Sequence, residues 1–139
     1  IAGIRVICYF IDDIYNLVNA LKRQSELIFI REKDYIQNPK PNGYRSFHVI
    51  IAVPVYYLDT MEYFPVEIQL RTMTMDLWAS MEHRVCYKKL PEHRDELAEA
   101  FCQYADILGK IEEQFEAYNE TGMLEEITPA QITENPTEG

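Results

Sequence analysis

The chain has 139 residues, of which 47% are hydrophobic and 26% charged, and a net charge of −10. One domain of this size can bury a core without disulfides or metal. The overall sign excludes a general nucleic-acid binder, which needs an extended basic surface, and no apolar run is long enough to cross a membrane. Three scattered cysteines, Cys8, Cys86 and Cys102, read as free thiols of a reducing compartment.

The acidity is uneven. Residues 1–91 hold eleven Lys/Arg and ten Asp/Glu, whereas residues 92–139 hold two and thirteen. A solvated acidic helix and tail accounts for the last third, and a small anion site in the first two thirds remains compatible with the charge. The chain opens at Ile1, without a methionine and inside an apolar run, so residues upstream of it are expected.

IAGIRVICYF reads as a β-branched strand. Asp12 and Asp13 offer an N-cap to a helix with Ile14, Leu17, Val18 and Leu21 at helical spacing. ELIFIRE is a second, short strand. A turn-rich segment follows, KDYIQNPKPNGYRSFH, from Lys33 to His48. A third strand over 46–55 puts Phe47, Val49 and Ile51 on one face and Ser46, His48 and Ile50 on the other, and Pro54 or the segment after it is expected to end its pairing. In a fourth strand, about 61–71, Val66, Ile68 and Leu70 alternate with Glu67, Gln69 and Arg71. Thr72 or Thr74 can cap a helix through LWASMEHRVCYKK, and Pro91 suits the first turn of a long last helix. There Leu97, Phe101, Tyr104, Leu108, Ile111, Phe115 and Tyr118 form a heptad-like seam, for packing on the domain or for a subunit interface. The expected fold is α+β: a mixed, mainly antiparallel sheet flanked by helices, with a long C-terminal helix. Residues 1–90 form the core, 91–119 the helix, and 120–139 a flexible acidic tail.

The turn-rich segment concentrates cations: Lys33, Lys40 and Arg45, with Arg31 just before. Asn42-Gly43 is a strong turn signal, and Gly43 would let a ligand approach the backbone closely. Tyr44 could offer a flat face to a base, and cations with an aromatic suit a nucleotide. A connection with solvated lysines explains the same composition, and no Walker-type or dinucleotide fingerprint is present. Glu67 also has two readings. It is half of a structural ion pair with its neighbours, or it holds Mg²⁺ or takes a proton from a hydroxyl. Glu82-His83 lacks the second histidine of a zinc helix, which favours a core-facing or interface histidine. His93 is expected at the surface, and Met75, Trp78 and Met81 in the core. The three histidines are too scattered for a metal-dependent phosphohydrolase.

Taken together, IAGIRV, KDYIQNPKPNGYRSFH, VEIQLRT and MDLWASMEH resemble the synthetase domain of the RelA/SpoT homologues, and the short chain is similar to the small alarmone synthetases. The resemblance covers residues 1–90 strongly and the last helix loosely. It implies a nucleotidyltransferase-like synthetase fold and a GTP pyrophosphokinase that moves pyrophosphate from ATP to the ribose 3′-hydroxyl of GDP or GTP, giving (p)ppGpp and AMP. It implies that Tyr44 stacks on guanine, and that Lys33, Lys40, Asn42 and His48 contact the acceptor's phosphates or sugar. Glu67 would hold Mg²⁺ and help activate the hydroxyl, with Gln69 positioning that end, and Arg5 would stack on the adenine of ATP. It further implies a cytoplasmic enzyme, a homo-oligomer such as a tetramer, and regulation by a nucleotide or RNA as a possibility left open. The family's first metal-binding aspartate and its basic ATP segment would lie before Ile1. An inactive guanine-nucleotide-binding module, and a relative acting on adenine nucleotides or tRNA, are the competing readings.

Overall fold

A computed structural model describes residues 2–87 and 91–126, with side chains described for 2–87 and 95–120. The element order is β1 (Ala2–Cys8), α1 (Ile11–Lys22), β2 (Ile28–Asp34), β3 (Phe47–Tyr57), β4 (Thr60–Thr72), α2 (Met73–Cys86) and α3 (Pro91–Glu126). The four strands form one sheet in the order β1-β4-β3-β2. β1 runs parallel to β4, and the other pairs are antiparallel. This is the expected mixed α+β architecture. The stretch 127–139, most of the expected tail, lies outside the described residues, as does the side chain of His93.

Period two on β3 and β4 divides the sheet into two chemistries. Phe47, Val49, Ile51, Ile68 and Leu70 are buried against Ile14 and Val18 of α1. This apolar face is the core, and burying each of its larger side chains contributes roughly 1.5–3 kcal/mol. The opposite face carries His48, Glu67, Gln69 and Arg71, joined by Arg5, whose register partner is Gln69.

β2 serves both faces through an irregularity. Phe29 pairs with Ile51, but Arg31, not Ile30, pairs with Ile50, and Lys33 with His48. Ile30 is the extra residue of a bulge, and it is exposed. Phe29 therefore packs on the core while Lys33, an even number of residues later, falls on the polar face beside His48.

Two local expectations need correction, at the cap of α1 and at Met81, and an open one, at the end of β3, is resolved. The N-cap of α1 is Phe10, and Asp13 sits in the first turn, where its carboxylate accepts from the Phe10 N–H at 3.1 Å. An acid at this position satisfies a free N–H and faces the positive end of the helix. Of Pro54 and the segment after it, the segment ends β3: Pro54 pairs with Tyr63, and the strand runs on to Tyr57. β2 no longer flanks β3 beyond Ala52, so Pro54 lies on a free edge where a missing N–H is tolerated. Met81 is exposed, unlike Met75 and Trp78, which are buried.

The helix α3, roughly 54 Å long, meets the domain along a face that overlaps the heptad-like seam only in part: Leu97, Phe101 and Leu108 of the seam are half-buried, Leu108 beside Ile11 and Trp78. Ala105 and Glu112 are its buried residues, whereas Tyr104, Ile111, Phe115 and Tyr118 of the seam are exposed. Polar ties fix this face. The Trp78 indole donates to the Phe101 carbonyl at 2.8 Å, Thr74 donates to Glu112 at 2.7 Å, and Arg45 pairs with Asp106 at 2.6 Å. Gly43 presses on the same face with φ +100. A Cβ there would lie 2.9 Å from the Cys102 Cα and 3.0 Å from the Ala105 Cβ. The glycine thus admits the approach of a helix, not of a ligand as its position in the turn had suggested.

Gly43→Ala should destabilise the fold by about 1–3 kcal/mol, because backbone must shift and the left-handed φ penalises any side chain. Gly3→Ala, where an added Cβ meets nothing within 4 Å, should stay within about 0.5 kcal/mol of the parent. Urea denaturation of both variants measures the difference, and equal midpoints would contradict the close-approach argument.

Candidate active site

The segment between β2 and β3 is ordered at both ends by its own sequence. Asp34 accepts from the Ile36 and Gln37 N–H groups at 2.8 and 3.0 Å, and its other oxygen accepts from the Tyr15 hydroxyl of α1 at 2.7 Å. Burial, together with this bond to Asp34, pushes the Tyr15 hydroxyl well above its ordinary pKa. The Tyr35 N–H bonds the Ser46 carbonyl at 2.9 Å and closes the loop's base. At the turn, Gly43 N–H donates to the Lys40 carbonyl and Tyr44 N–H to the Asn42 side-chain oxygen. The Asn-Gly pair is thus a turn builder, as its chemistry predicts.

Tyr44 is half-buried and is not a free tip. Its ring meets Tyr35, His48 and Trp78 edge-on, and the Lys40 ammonium and the Arg71 guanidinium lie 5.0 and 5.4 Å from its centroid. Its hydroxyl is 2.9 Å from His48 Nε2 and 3.1 Å from both Ser46 Oγ and Arg71 Nη2. Arg71 is itself only 7% exposed and donates through Nη1 to Asp76 at 3.1 Å. Arg5 approaches the same Asp76 oxygen at 3.6 Å. Asp76 is therefore held between two arginines at the first turn of α2, whose N-cap is Thr72, the capping threonine that the sequence had offered.

Glu67 stands beside this cluster, with its side chain 40% exposed. Gln69 Nε2 lies 3.4 Å from Glu67 Oε1, and His48 Nδ1 lies 4.0 Å from the same oxygen. Gly3, Arg5, Glu67 and Gln69 line a cleft of about 250 Å³. A second cleft of about 500 Å³ lies between Arg5, Tyr44, Arg71 and the α2 residues Ser80, Glu82 and His83. Arg5 belongs to both.

Of the residues expected at the site, the sheet face brings Arg5, Lys33, His48, Glu67 and Gln69 together, and Tyr44 and Lys40 cover its end. Asn42 does not join Glu67. It faces a neighbouring groove with His83 and Phe101, and its side-chain oxygen is spent on the turn. His83 is exposed and packs on Tyr87, not in the core. Arg71 and Asp76 went unassigned. The alternation on β4 places Arg71 on the right face, but only tertiary contact reveals its partners.

Glu67 is the carboxylate of this face that could hold a hard cation. Mg²⁺ is commonly held by one or two carboxylates plus substrate phosphates, and Glu67 presents a carboxylate at a cleft bordered by Arg5. Asp76, neutralised by two guanidinium groups, is unsuited to the task. The carboxylates of Asp12, Glu116 and Glu120 also lie close together, between α1 and α3, away from this cleft.

His48 has its pKa lowered below the ordinary 6.5. Burial is the main cause; Glu67 opposes it, while Arg71, Lys40 and Lys33 add to it. The unfolded chain therefore binds a proton that the folded chain resists, so stability rises with pH in this window. The contribution is complete above the unfolded value and is lost as pH falls from 6.5 towards the lowered folded one. An NMR titration of the imidazole should show a midpoint below 6.5, lowered further by Glu67→Gln. A raised midpoint would contradict the burial argument.

Residues 1–92 match the model of the region found in RelA/SpoT proteins. The GTP pyrophosphokinase YwaC of Bacillus subtilis is 48% identical over 114 residues, covering 82% of this chain and 54% of that protein. The GTP pyrophosphokinase YjbM of the same organism is 38% identical over 88 residues, covering 63% of this chain and 42% of its own. Among solved structures, the small alarmone synthetase 2 of B. subtilis superposes with a TM-score of 0.76 at 44% identity, over 86% of this chain and 65% of that one. The small alarmone synthetase 1 of B. subtilis bound to its product pppGpp gives 0.75 at 28% identity, over 87% and 62%. The chain spans about half the length of these two curated relatives. With the matched motifs lying on one sheet face, the chain belongs to the RelA/SpoT family and resembles the small alarmone synthetases within it.

Proposed function

We propose that the protein containing this chain is a GTP pyrophosphokinase that makes (p)ppGpp. The 3′-oxygen of GDP or GTP attacks the β-phosphorus of ATP, the bond between that phosphorus and the α,β-bridging oxygen breaks, and AMP leaves with the electron pair. The hydroxyl proton passes to Glu67. The observation that carries this reading is Glu67 itself, a partly exposed carboxylate at a cleft, on the same sheet face as Arg5, His48 and Lys33. Transfer of this kind depends on in-line positioning and charge neutralisation more than on covalent chemistry. A magnesium ion at Glu67 would neutralise phosphate charge.

In this reading Tyr44 offers its ring to guanine, with Lys40 and Arg71 holding it in place. Lys33, Lys40 and His48 meet the acceptor's phosphates or sugar, Gln69 steadies Glu67, and Arg5 takes the adenine side. Asn42 acts by building the turn that carries Tyr44. The substrates suit a cytoplasmic enzyme; among the described residues no helix is long and apolar enough to cross a membrane. The exposed stripe Tyr104, Ile107, Ile111, Phe115 and Tyr118 on α3 supports a homo-oligomer, such as a tetramer, over a monomer. Glu67 weighs against a guanine-binding module without chemistry, which has little need of a strand-borne carboxylate there.

Incubating the full-length protein with Mg²⁺, γ-labelled ATP and GDP or GTP should give a labelled guanosine product. Glu67→Gln should abolish turnover and leave GTP binding nearly intact; surviving turnover would refute the role of Glu67. Tyr44→Ala should weaken the acceptor by about 1–3 kcal/mol, read as a rise in its KM. Light scattering should return a multiple of the monomer mass, and a monomer would remove the oligomer reading.

A further inference from the structure

The hydrogen bonds at the Tyr44 hydroxyl leave one arrangement of protons. A phenolic oxygen has two acceptor sites and one proton. Arg71 Nη2 can only donate, and it does so at 3.1 Å. The buried Ser46 hydroxyl donates at 3.1 Å. Both acceptor sites are then filled, and the phenol proton points to the remaining neighbour, His48 Nε2, at 2.9 Å. Nε2 must present a lone pair to receive it. The ring proton of the neutral imidazole is consequently on Nδ1, the nitrogen 4.0 Å from Glu67 Oε1. That distance exceeds a hydrogen bond, so the pull on the carboxylate is electrostatic or carried by one water.

We propose that Arg71 is a positioning residue of the transfer site: by filling an acceptor site of the Tyr44 hydroxyl, it fixes His48 with its proton on Nδ1 and so directs an N–H at Glu67. The transfer role rests on the function proposed above, whereas the proton arrangement does not. Gln69 Nε2 addresses the same oxygen, Oε1. Two donors therefore orient the carboxylate from one side, and Oε2 is the oxygen available to a hydroxyl or a cation. The placement of Arg71 suits this work. It is buried, and Asp76 balances its charge, which limits the desolvation cost. Its planar fork reaches Asp76 with one nitrogen and Tyr44 with the other, which a lysine cannot do. The charged and titratable groups around His48 are Glu67, Arg71, Lys40, Lys33 and the Tyr44 and Tyr35 phenols, and of these Tyr44 is the one hydrogen-bonded at Nε2.

The test reads the tautomer directly. In ¹⁵N-histidine-labelled full-length protein, at a pH where His48 is neutral, long-range ¹H–¹⁵N spectra should show His48 with Nδ1 protonated and Nε2 bare. Tyr44→Phe keeps the ring and removes the hydroxyl; it should release the imidazole to the Nε2–H form. Arg71→Lys should shift the population in the same direction. In the transfer assay each variant should lose about tenfold in kcat, the size of one lost hydrogen bond, with acceptor KM within about twofold of the parent. The double variant should be no slower than the slower single one. A parent His48 protonated on Nε2, or a tautomer unchanged in Tyr44→Phe, would overturn the proton arrangement. An unchanged kcat in both variants would overturn the positioning role. Absence of transfer by the parent, with the tautomer as stated, would refute the proposed function and the role within it, and leave the hydrogen-bond assignment standing.

Discussion

The guanidinium of Arg71 sits where strand, loop and helix meet, and it is almost wholly removed from water. A buried cation is costly unless paired and hydrogen-bonded, and here the two groups that satisfy it come from different parts of the chain. Asp76 is supplied by the first turn of α2, and the Tyr44 hydroxyl by the segment between β2 and β3. Its Nε has no partner among the described residues. Moving the loop or the helix would strand the charge, so the geometry of both is coupled to the end of β4. The polar face of the sheet is specific because a single buried charge admits few alternative arrangements.

The acidic last third has a similar logic. Its charge does not simply cloak the molecule. Asp106 pairs with Arg45 next to the tyrosine, and Glu112 is buried against Thr74 at the start of α2. Glu116 faces Asp12 across the start of α1, and burial first, with Asp12 second, raises its pKa. α3 thus presents carboxylates to a basic loop at one point and to another acid farther along. Attraction at the loop and repulsion at α1 thus act on the same helix.

Much of this was legible in the sequence wherever the signal is local and periodic. The order of elements, the two faces within β3 and within β4, and Thr72 as one of two candidate caps follow from alternation and from capping chemistry, whereas the grouping of Arg5 and His48 with Glu67 and Gln69 came only with the family resemblance. What was not legible depends on contacts between distant residues. Gly43 reads as a turn glycine, and nothing nearby says that Cys102 and Ala105 press on it. Pro54 leaves the end of β3 undecided unless one knows that β2 has already stopped. Tyr44 reads as an exposed ring because the residues that enclose it, Trp78 and Arg71, lie over twenty-five positions away. The heptad-like seam of α3 was visible, yet only its members Leu97, Phe101 and Leu108 are half-buried, and the fully buried positions, Ala105 and Glu112, lie beside it.

The bulge at Ile30 shows how one residue can reconcile two demands on a strand. The first half of β2 alternates in step with the core, and the second half in step with the site. A strand of uniform pleat could not do both: with Phe29 inside, Lys33 would be inside as well. The inserted residue acts as a change of phase, so the spacing between Phe29 and Lys33 is constrained as firmly as their identities. Relatives of this chain could exchange side chains along β2 with some freedom, but loss of a single residue there would send a lysine into the core or a phenylalanine into the cleft.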